Sequence, residues 1–330
     1  MQTSAAVFIG AGFSHVAGLP LTKELFQTAG YASSSRQLRH MQQVIDTWSA
    51  WRLDHPNGSP DEFFFAVYKG RVLIPGVPWG YVIEALATIL SQPVGKWAGR
   101  NVRYANRLTR KLRCPEHVAF WSTVLNAYSI SGVLTTNYDL LAEGGLRHRR
   151  MRRPPRPGFN YAGLPFPQVL KGTAQPFSIQ NQLRTVSLDP NGVPLCKLHG
   201  SLNWAEGATE IDLFQDCRAA FRSPTKVRLV PPLHEIDTPD WLNPVWQAAT
   251  RVLKSVHILI ACGYSFPAYD VSVRRLFVDS LEANGNLHSV HIVDPNAATL
   301  KSVFVEEFGF RGHIDLYSNL ADFIKLFQRS

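Results

Sequence analysis

Short apolar segments alternate along the chain with longer segments in which apolar positions recur every three or four residues. Five of the short segments are mostly apolar, as buried parallel strands are. The predicted strands are Ser4–Ile9, Gly132–Thr136, Val256–Cys262, Ser289–Val293 and His313–Tyr317. The main helices predicted around and between them are Val118–Tyr128, Asn243–Leu253, Val271–Ala283, Ala297–Phe308 and Leu320–Phe327. Alternation of this kind predicts one α/β domain over residues 1–330, with a doubly wound, Rossmann-like and mainly parallel sheet.

Two long segments interrupt this alternation. Residues 31–115 contain amphipathic helical patterns at Gln37–Leu53, Asp61–Tyr68 and Tyr81–Leu90 and no convincing strand, so we predict a helical insertion. Residues 147–194 are rich in Pro, Gly and Asn and are too long for an ordinary connection in a compact domain. We predict that this second segment is a long loop or lid. Passive surface decoration is the alternative for both segments.

A glycine-containing turn follows the first predicted strand, and a helical pattern begins soon after Pro20. The turn consists of Gly10, Ala11, Gly12, Phe13 and Ser14. Glycines let the backbone approach a diphosphate, and the N–H groups of a helix start favour an anion by roughly 0.3–1 kcal/mol. A dehydrogenase would have a third glycine where this chain has His15, so hydride transfer is disfavoured. Close packing of a helix against a strand is the alternative explanation for the glycines.

Polar residues also follow three other predicted strands. They are Thr135, Thr136, Asn137 and Asp139 after the second strand, Gly263, Tyr264 and Ser265 after the third, and Asp294 and Asn296 after the fourth. Ligands of open parallel sheets bind at such strand ends, and an acidic group there can accept hydrogen bonds from ribose hydroxyls. Turn and helix-cap chemistry is the alternative for each of these motifs taken alone.

His199 is the candidate general base, in the segment Lys197-Leu198-His199-Gly200-Ser201. An unperturbed imidazole titrates near neutrality, which suits proton transfer at physiological pH. The chain has 11 histidines, and any one of them is more often structural than catalytic. The case for His199 therefore depends on its neighbours.

Composition narrows the class of protein. The hydrophobic content is 45%, which suits a globular chain, and a net charge of +9 favours anionic ligands or polyanionic partners. The four cysteines are widely spread and form no Cys-x-x-Cys pair, so neither a disulfide framework nor a zinc site is indicated; they are Cys114, Cys196, Cys217 and Cys262. We expect no metal. We found no long apolar stretch and no leader pattern, so a cytoplasmic protein with no membrane partner is expected.

Taken in order, these motifs resemble the sirtuin family. GAGFS is similar to the family's phosphate loop, TTNYD to its TQN-x-D motif, and KLHGS to the segment with the catalytic histidine. GYSF and VDPN resemble the later motifs that contact the dinucleotide. The combination with KLHGSLNW and GYSFPAYD is closer still to the zinc-less bacterial sirtuin-like domains of antiphage defence systems. The paired cysteines of the family's deacetylases are missing here, which disfavours deacylation.

The resemblance implies an NAD hydrolase that yields nicotinamide and ADP-ribose, acting as an NAD-depleting effector in antiphage defence. Asn137 would hold a water or the nicotinamide ribose, and His199 would be the base. Asp139 would contact the nicotinamide or its ribose, and Asp294 or Asn296 the adenosine ribose. The diphosphate would meet Ser14, Ser265 and the backbone of residues 11–13. NAD-dependent ADP-ribosyl or deacyl transfer to a protein, and a nucleotide-sensing subunit without turnover, are the alternatives.

Regulation must come from assembly or a partner if the chain holds little beyond a catalytic core. We expect a homo-oligomer, or a partner subunit such as a helicase-like ATPase or a sensor protein. The insertion at 31–115 or the segment at 147–194 would gate the cleft. Six arginines lie between Arg147 and Arg156, but no aromatic residues are interleaved with them. Nucleic-acid binding is therefore not favoured over a solvated or partner-facing surface.

Overall fold

The structure is a computed structural model that describes residues 2–27, 35–90, 96–97, 100–101, 114–147, 157–171, 186–207, 210–215, 227–231 and 238–328. Its strands, in chain order, are β1 (Ser4–Ile9), β2 (Lys96–Trp97), β3 (Arg100–Asn101), β4 (Ser129–Thr135), β5 (Phe159–Tyr161), β6 (Val169–Lys171), β7 (Val186–Ser187), β8 (Val193–Lys197), β9 (Gly200–Glu206), β10 (Ile211–Phe214), β11 (Val227–Leu229), β12 (Ile258–Cys262), β13 (Ser289–Val293) and β14 (His313–Tyr317). Its α-helices are α1 (Ala11–His15), α2 (Ser35–Asp54), α3 (Pro60–Tyr68), α4 (Trp79–Leu90), α5 (Pro115–Ala127), α6 (Leu141–Leu146), α7 (Asn243–Leu253), α8 (Val271–Glu282), α9 (Ala297–Ser302) and α10 (Leu320–Gln328). A 3₁₀ turn spans Thr22–Gln27, and a π-helical turn, Val303–Glu307, extends α9.

The larger sheet has seven strands in the order β14-β13-β12-β1-β4-β8-β5. Every neighbouring pair is parallel, and the central strand β1 is almost wholly buried, as its apolar sequence predicts. After β1 the chain builds one side of the sheet through β4 and β8, and then crosses to β12, β13 and β14. The direction of winding thus reverses beside β1, which is where open α/β sheets bind ligands. The predicted doubly wound fold class is confirmed.

Most predicted helices are confirmed, but the helix predicted to begin soon after Pro20 is the 3₁₀ turn Thr22–Gln27. A short helix that was not predicted, α1, begins at Ala11, directly after the first strand, and the Phe13 N–H donates to the Gly10 carbonyl at 3.1 Å. The sequence pattern is too short to reveal a five-residue helix. Its position brings the glycine turn and a helix start to the carboxyl end of β1.

A second sheet of five strands, in the order β11-β9-β10-β6-β7, lies beside the first. Its strands, and β5 of the larger sheet, were not predicted. The prediction of a long loop at 147–194 is therefore wrong for 157–171 and 186–194, where β5 to β8 form or begin. These strands have two to five residues, too few for a periodic pattern to register. The rest of the predicted loop, 148–156 and 172–185, lies outside the described residues.

Helices α2, α3 and α4, with the 3₁₀ turn, share a hydrophobic core of their own; we call residues 22–90 the helical module. Phe63 and Val44 lie at its centre and are fully buried. Ile83 and Ala87 of α4 pack against Leu202 of the second sheet, which docks the module onto the rest of the chain. The helices predicted within residues 31–115 lie in this module. The short hairpin β2–β3, which also lies within residues 31–115, contradicts the prediction of no convincing strand there.

Of the helices in the described ranges, not one combines the length and hydropathy needed to cross a bilayer.

Candidate active site

A cavity of about 600 Å³ lies at the carboxyl ends of β1, β4, β12 and β13. Its volume is within the range of roughly 300–1,000 Å³ that small-molecule sites occupy. Most of the residues predicted from the sequence line it: Ala11, Gly12, Phe13, Ser14, Thr136, Asn137, Asp139, His199, Gly263, Tyr264, Ser265, Asp294 and Asn296. Gly10 and Thr135 do not line it. The strand-end motifs, which are far apart in sequence, thus meet in one place.

The two glycine turns pack directly against each other. A Cβ at Gly12 would come within 2.8 Å of the Gly263 Cα, and one at Gly263 would come within 2.2 Å of the Phe13 nitrogen. Gly263 also has a φ of +63°, which favours glycine. The Gly12 N–H donates to the Gly263 carbonyl at 2.7 Å. Packing between the turns therefore accounts for these glycines, and it fixes the backbone at the floor of the cavity.

Asn137 is held by a chain of hydrogen bonds that begins at the glycine turn. Its Nδ2 donates to the Gly10 carbonyl at 2.8 Å and to the Ser14 hydroxyl at 2.9 Å. The Ser14 hydroxyl in turn donates to Asp139 at 2.7 Å, and Asp139 accepts from the Leu141 N–H. Because these bonds use the amide nitrogen, they present Oδ1 of the half-buried Asn137 as an acceptor.

Ser14, Asp139 and Thr135 therefore position Asn137 in this structure, directly or through one another. Thr135 donates its hydroxyl to the Ile9 carbonyl and accepts from the Asn137 N–H at 3.0 Å. All three side chains are buried, between 1% and 7% exposed. These buried side chains hold the amide of Asn137 in place, and the Asn137 side chain itself is half-buried.

A buried ion pair between Lys197 and Glu143 contacts the same loop. The Lys197 ammonium lies 3.3 Å from the Glu143 carboxylate and donates to the Asp139 carbonyl, and both charged side chains are fully buried. Burial raises the pKa of Glu143, although the charge of Lys197 acts to lower it. Because Lys197 is the last residue of β8, its contacts with Glu143 and Asp139 connect the loop that holds Asn137 to the segment that contains His199.

His199 lies where the chain passes from one sheet to the other. Strand β8 of the larger sheet ends two residues before it, and β9 of the second sheet begins immediately after it. The Leu198 N–H donates to the Thr135 carbonyl at 2.9 Å, and the Val230 N–H donates to the His199 carbonyl at 2.9 Å. The backbone of His199 is thus tied to both sheets, and its side chain is only 4% exposed.

Asp270 orients the imidazole. Its Oδ2 lies 3.4 Å from Nε2 of His199 and accepts the Tyr264 hydroxyl at 2.5 Å. Its Oδ1 accepts the Val273 N–H, so the same carboxylate caps helix α8. Burial alone would raise the pKa of Asp270, but the charge and hydrogen bond of His199 and the Tyr264 hydroxyl lower it below its ordinary value. Asp270 is therefore a fixed anionic partner for the imidazole.

Asp61 is a second carboxyl in this part of the cavity, and it comes from the helical module. It lies in the first turn of α3, after the N-cap Ser59, and its side chain is 5% exposed. Burial raises the pKa of Asp61 to about 7, with the hydroxyl of Tyr269 acting against burial and Asp270 reinforcing it. Neither Asp61 nor Asp270 was singled out from the sequence, since an acidic residue at a helix start has an ordinary explanation as a cap.

The opposite end of the cavity is formed by the residues after β13. Asp294 is 9% exposed, and its Oδ1 accepts the Asn296 N–H at 2.8 Å. Burial raises the pKa of Asp294, although the Asn296 N–H acts to lower it. Asn296 itself is exposed at the edge of the cavity. Hydroxyl groups of a bound ligand could donate to this carboxyl.

In the described parts of the chain, no three His, Cys, Asp or Glu side chains are grouped so as to hold a metal ion. Cys114, Cys196 and Cys262 are buried free thiols, and Cys217 lies outside the described residues.

Neither the family models nor the curated proteins include a match to this chain. Similar solved structures include a Sir2 enzyme solved to explain mechanism and regulation, with 14% identity over 99% of this chain and 93% of that chain and a TM-score of 0.44. A second, from work on sirtuin substrate affinity, has 14% identity, covers 99% of this chain and 92% of that chain, and has a TM-score of 0.42. A third, a Sir2 homologue in complex with ADP-ribose, has 12% identity, with 99% and 90% covered and a TM-score of 0.41. At these values function has to be argued from the chain's own residues.

Proposed function

We propose that this protein binds NAD in the cavity and hydrolyses the bond between nicotinamide and ribose. The observation that carries the proposal is the presence, in one cavity at the switch point of a doubly wound sheet, of an oriented amide and a buried imidazole–carboxylate pair. They are Asn137 and the pair His199–Asp270. Dinucleotides bind in this crevice in folds of this class.

The chemistry suits these groups. The nicotinamide ring of NAD is a cationic pyridinium, which becomes neutral when its bond to ribose breaks. No strong acid is therefore needed to protonate the leaving group. The remaining tasks are to hold the attacking water and to stabilise a cationic, oxocarbenium-like ribose. Oδ1 of Asn137 is an acceptor for the water or a ribose hydroxyl, and His199 is the base that takes the proton. The Asp270 carboxylate stabilises the imidazolium that results.

The ends of the cavity fit the rest of the dinucleotide. Asp294 and Asn296 would accept hydroxyls of the adenosine ribose, with the diphosphate between them and the nicotinamide, near Ser265 and the first turn of α1. Ser14 is less suited to a phosphate contact than the sequence indicated, because its hydroxyl already bonds Asn137 and Asp139.

The test is the rate at which purified protein releases nicotinamide from NAD, alone and with candidate partners. We expect H199A and N137A each to lose most of this activity, on the order of 10²-fold or more, because each removes a group that contacts the reacting atoms. The control is H313A, since His313 is an exposed imidazole outside the cavity. If H199A and N137A both retain the parent rate, the site is wrong.

The resemblance of the sequence motifs supports a proposal for the biological setting. We propose that the activity depletes NAD as an effector of bacterial antiphage defence, under the control of assembly or a partner. Transfer of ADP-ribose to a protein would use the same groups, but it would leave less free ADP-ribose than nicotinamide. A sensing subunit would bind NAD without releasing nicotinamide.

A further inference from the structure

His117 is a fully buried imidazole that the proposed hydrolysis does not use, and it contacts the helix that carries Ser14. It is the third residue of α5. Its Nε2 lies 2.7 Å from the Phe13 carbonyl oxygen, and because a carbonyl oxygen only accepts hydrogen bonds, Nε2 is the donor. The imidazole ring also stacks on the Phe13 ring, with the centroids 4.0 Å apart and the planes at 9°. His117 therefore holds both the backbone and the side chain of Phe13.

The Phe13 carbonyl lies near the end of α1, where the helix itself offers it no partner. A helix leaves its last carbonyls without bonds from its own N–H groups. The Ala17 N–H, which would reach the Phe13 carbonyl if α1 continued, donates to the Ser14 carbonyl at 3.0 Å instead. Helix α5 thus supplies the donor that the five-residue helix α1 lacks.

The bonded carbonyl is one peptide group away from the residue that orients Asn137. The Phe13 carbonyl and the Ser14 N–H share one planar peptide group, so a bond that holds the carbonyl also restricts the Ser14 backbone. The Ser14 hydroxyl accepts Nδ2 of Asn137 at 2.9 Å and donates to Asp139 at 2.7 Å. The path from His117 to the Asn137 amide therefore consists of two hydrogen bonds and one peptide group.

Packing alone does not explain an imidazole at position 117. Nδ1 of His117 is buried and has no hydrogen-bond partner in the described part of the chain, which destabilises the fold. Burial lowers the pKa of His117, although the Phe13 carbonyl and the charges of Asp139 and Glu116 act to raise it, so the ring is uncharged at neutral pH. A phenyl ring would fill a similar space without the unpartnered nitrogen. What the imidazole adds is the donor at Nε2.

We propose that His117 is a positioning residue of the catalytic centre, which acts through the Phe13 carbonyl and Ser14 to keep the Asn137 amide in one orientation. Its effect on NAD turnover rests on the proposed function, whereas the orientation of the amide is a property of the protein without NAD. Because the first link is a hydrogen bond, a ring that stacks on Phe13 without a donor should loosen the Asn137 amide.

The orientation is measured without NAD, from the exchange with solvent of the Asn137 side-chain amide protons in nuclear magnetic resonance spectra. The signals are assigned by their loss in N137A. These protons are donated to the Gly10 carbonyl and the Ser14 hydroxyl, so their exchange reports how often the two bonds open. In H117F, which keeps a ring on Phe13 but has no donor, we expect exchange to be faster by on the order of 10-fold.

The controls separate the lost donor from altered packing. F120L changes another buried ring of α5 that contacts Phe13, with the centroids 5.2 Å apart, and it leaves the carbonyl bond intact, so we expect the parent rate of exchange. H117Q has an amide nitrogen as many bonds from Cβ as Nε2 is, and we expect it to restore most of the protection. H117M, which also lacks a donor, replaces H117F if that variant does not fold. Parent exchange in folded H117F or H117M, or equal acceleration in F120L, overturns the proposal.

The kinetics of nicotinamide release test the same link in the reaction and separate it from the proposed function. We expect H117F to lower kcat by on the order of 10-fold with a smaller change in KM, because Asn137 contacts the reacting atoms, and H117Q to recover most of kcat. F120L should stay within about two-fold of the parent. A parent that shows the exchange effect but releases no nicotinamide contradicts hydrolysis and leaves the positioning by His117 standing. A parent that hydrolyses NAD while H117F keeps the parent kcat and the parent exchange contradicts the positioning alone.

Discussion

At the scale of single residues, the site depends on ionisable groups held away from water. Asp61, Asp270, Glu143 and Lys197 are all at most 5% exposed. Such groups are costly to bury unless they are paired or neutralised, and each is satisfied differently. Lys197 neutralises Glu143. The charge of His199 and the hydrogen bonds of Asp270 hold Asp270 as an anion, whereas Asp61 keeps its proton. Their titrations therefore affect both stability and chemistry.

The stability of the fold should depend on pH through Asp61. Its pKa is about 7 in the folded protein against a usual value near 4, so between these values only the folded state holds the proton. The free energy of unfolding then falls as pH rises, by roughly 1.4 kcal/mol per unit, and levels off above about pH 7. D61N lacks this loss, so the stability of D61N relative to the parent should rise by roughly 3–4 kcal/mol from pH 4 to pH 8. Urea unfolding at the two pH values measures it; a constant difference contradicts it.

The buried Lys197–Glu143 pair should be costly to break from one side. K197M leaves the Glu143 carboxyl buried without its cation, so we expect a loss of about 3–5 kcal/mol in the free energy of unfolding. The exposed pair Lys325–Asp322 has the same 3.3 Å separation, and K325M should cost less than about 1 kcal/mol. Removing both buried charges in K197M/E143L should restore part of the loss. Equal costs for K197M and K325M in urea unfolding would show that burial of the pair is not what matters.

At the scale of elements, the floor of the site is made by two glycine turns that lock together. Gly263 and Gly309 both have positive φ, +63° and +68°, but only at Gly263 would a Cβ meet backbone, whereas at Gly309 it would meet open space. G309A should therefore lose only the conformational cost, roughly 1–2 kcal/mol. G263A should lose more and should also weaken NAD binding, because α1 must move away from β12. Thermal unfolding and NAD titration of the two variants test this, and equal losses would contradict it.

The elements also show what the sequence pattern can predict. Strands Ser4–Ile9, Ser289–Val293 and His313–Tyr317 and helix Asn243–Leu253 were predicted to the residue. Strands β1 and β13 are buried and mostly apolar, and α7 has a one-sided apolar pattern that begins beside a proline, so their signals are local. Strand β14 lies at the edge of the sheet with exposed and half-buried side chains, and its pattern is less apolar. Strand β8 was missed because it is short and contains Pro194. Its place in the sheet is decided by tertiary pairing with β4.

The same division applies to the site. Asn137 follows a strand that was predicted, so it is found among the residues at predicted strand ends. His199 follows β8, which was not predicted. The family motifs identify both residues. Neither Asp61 nor Asp270 was given a role this way, although Asp270 is the last residue of the GYSFPAYD motif. Each has the sequence context of a helix-start acid, and their relation to His199 arises only when the helical module and helix α8 pack around the cavity.

At the scale of the whole molecule, the cavity is closed by parts that are distant in sequence. The larger sheet supplies Asn137, the junction of the two sheets supplies His199, and the helical module supplies Asp61. The module is attached through Ala87 and Leu202, so the site is complete only while it is docked. A partner or a second copy that moved the module would take Asp61 out of the cavity wall, and the gating by residues 31–115 stays a prediction. The arginines between Arg149 and Arg153 lie outside the described residues, and their predicted role in assembly stays a prediction.

Hydrolysis of NAD is tested by a chromatographic count of both products from the intact protein. We expect nicotinamide and free ADP-ribose to appear in a ratio of 1:1 by chemical balance, and we expect neither product above background from H199A. Nicotinamide without matching free ADP-ribose would indicate transfer to another acceptor. Absence of both products in the presence of the activating partner, or equal amounts from the parent and H199A, would contradict hydrolysis at this site.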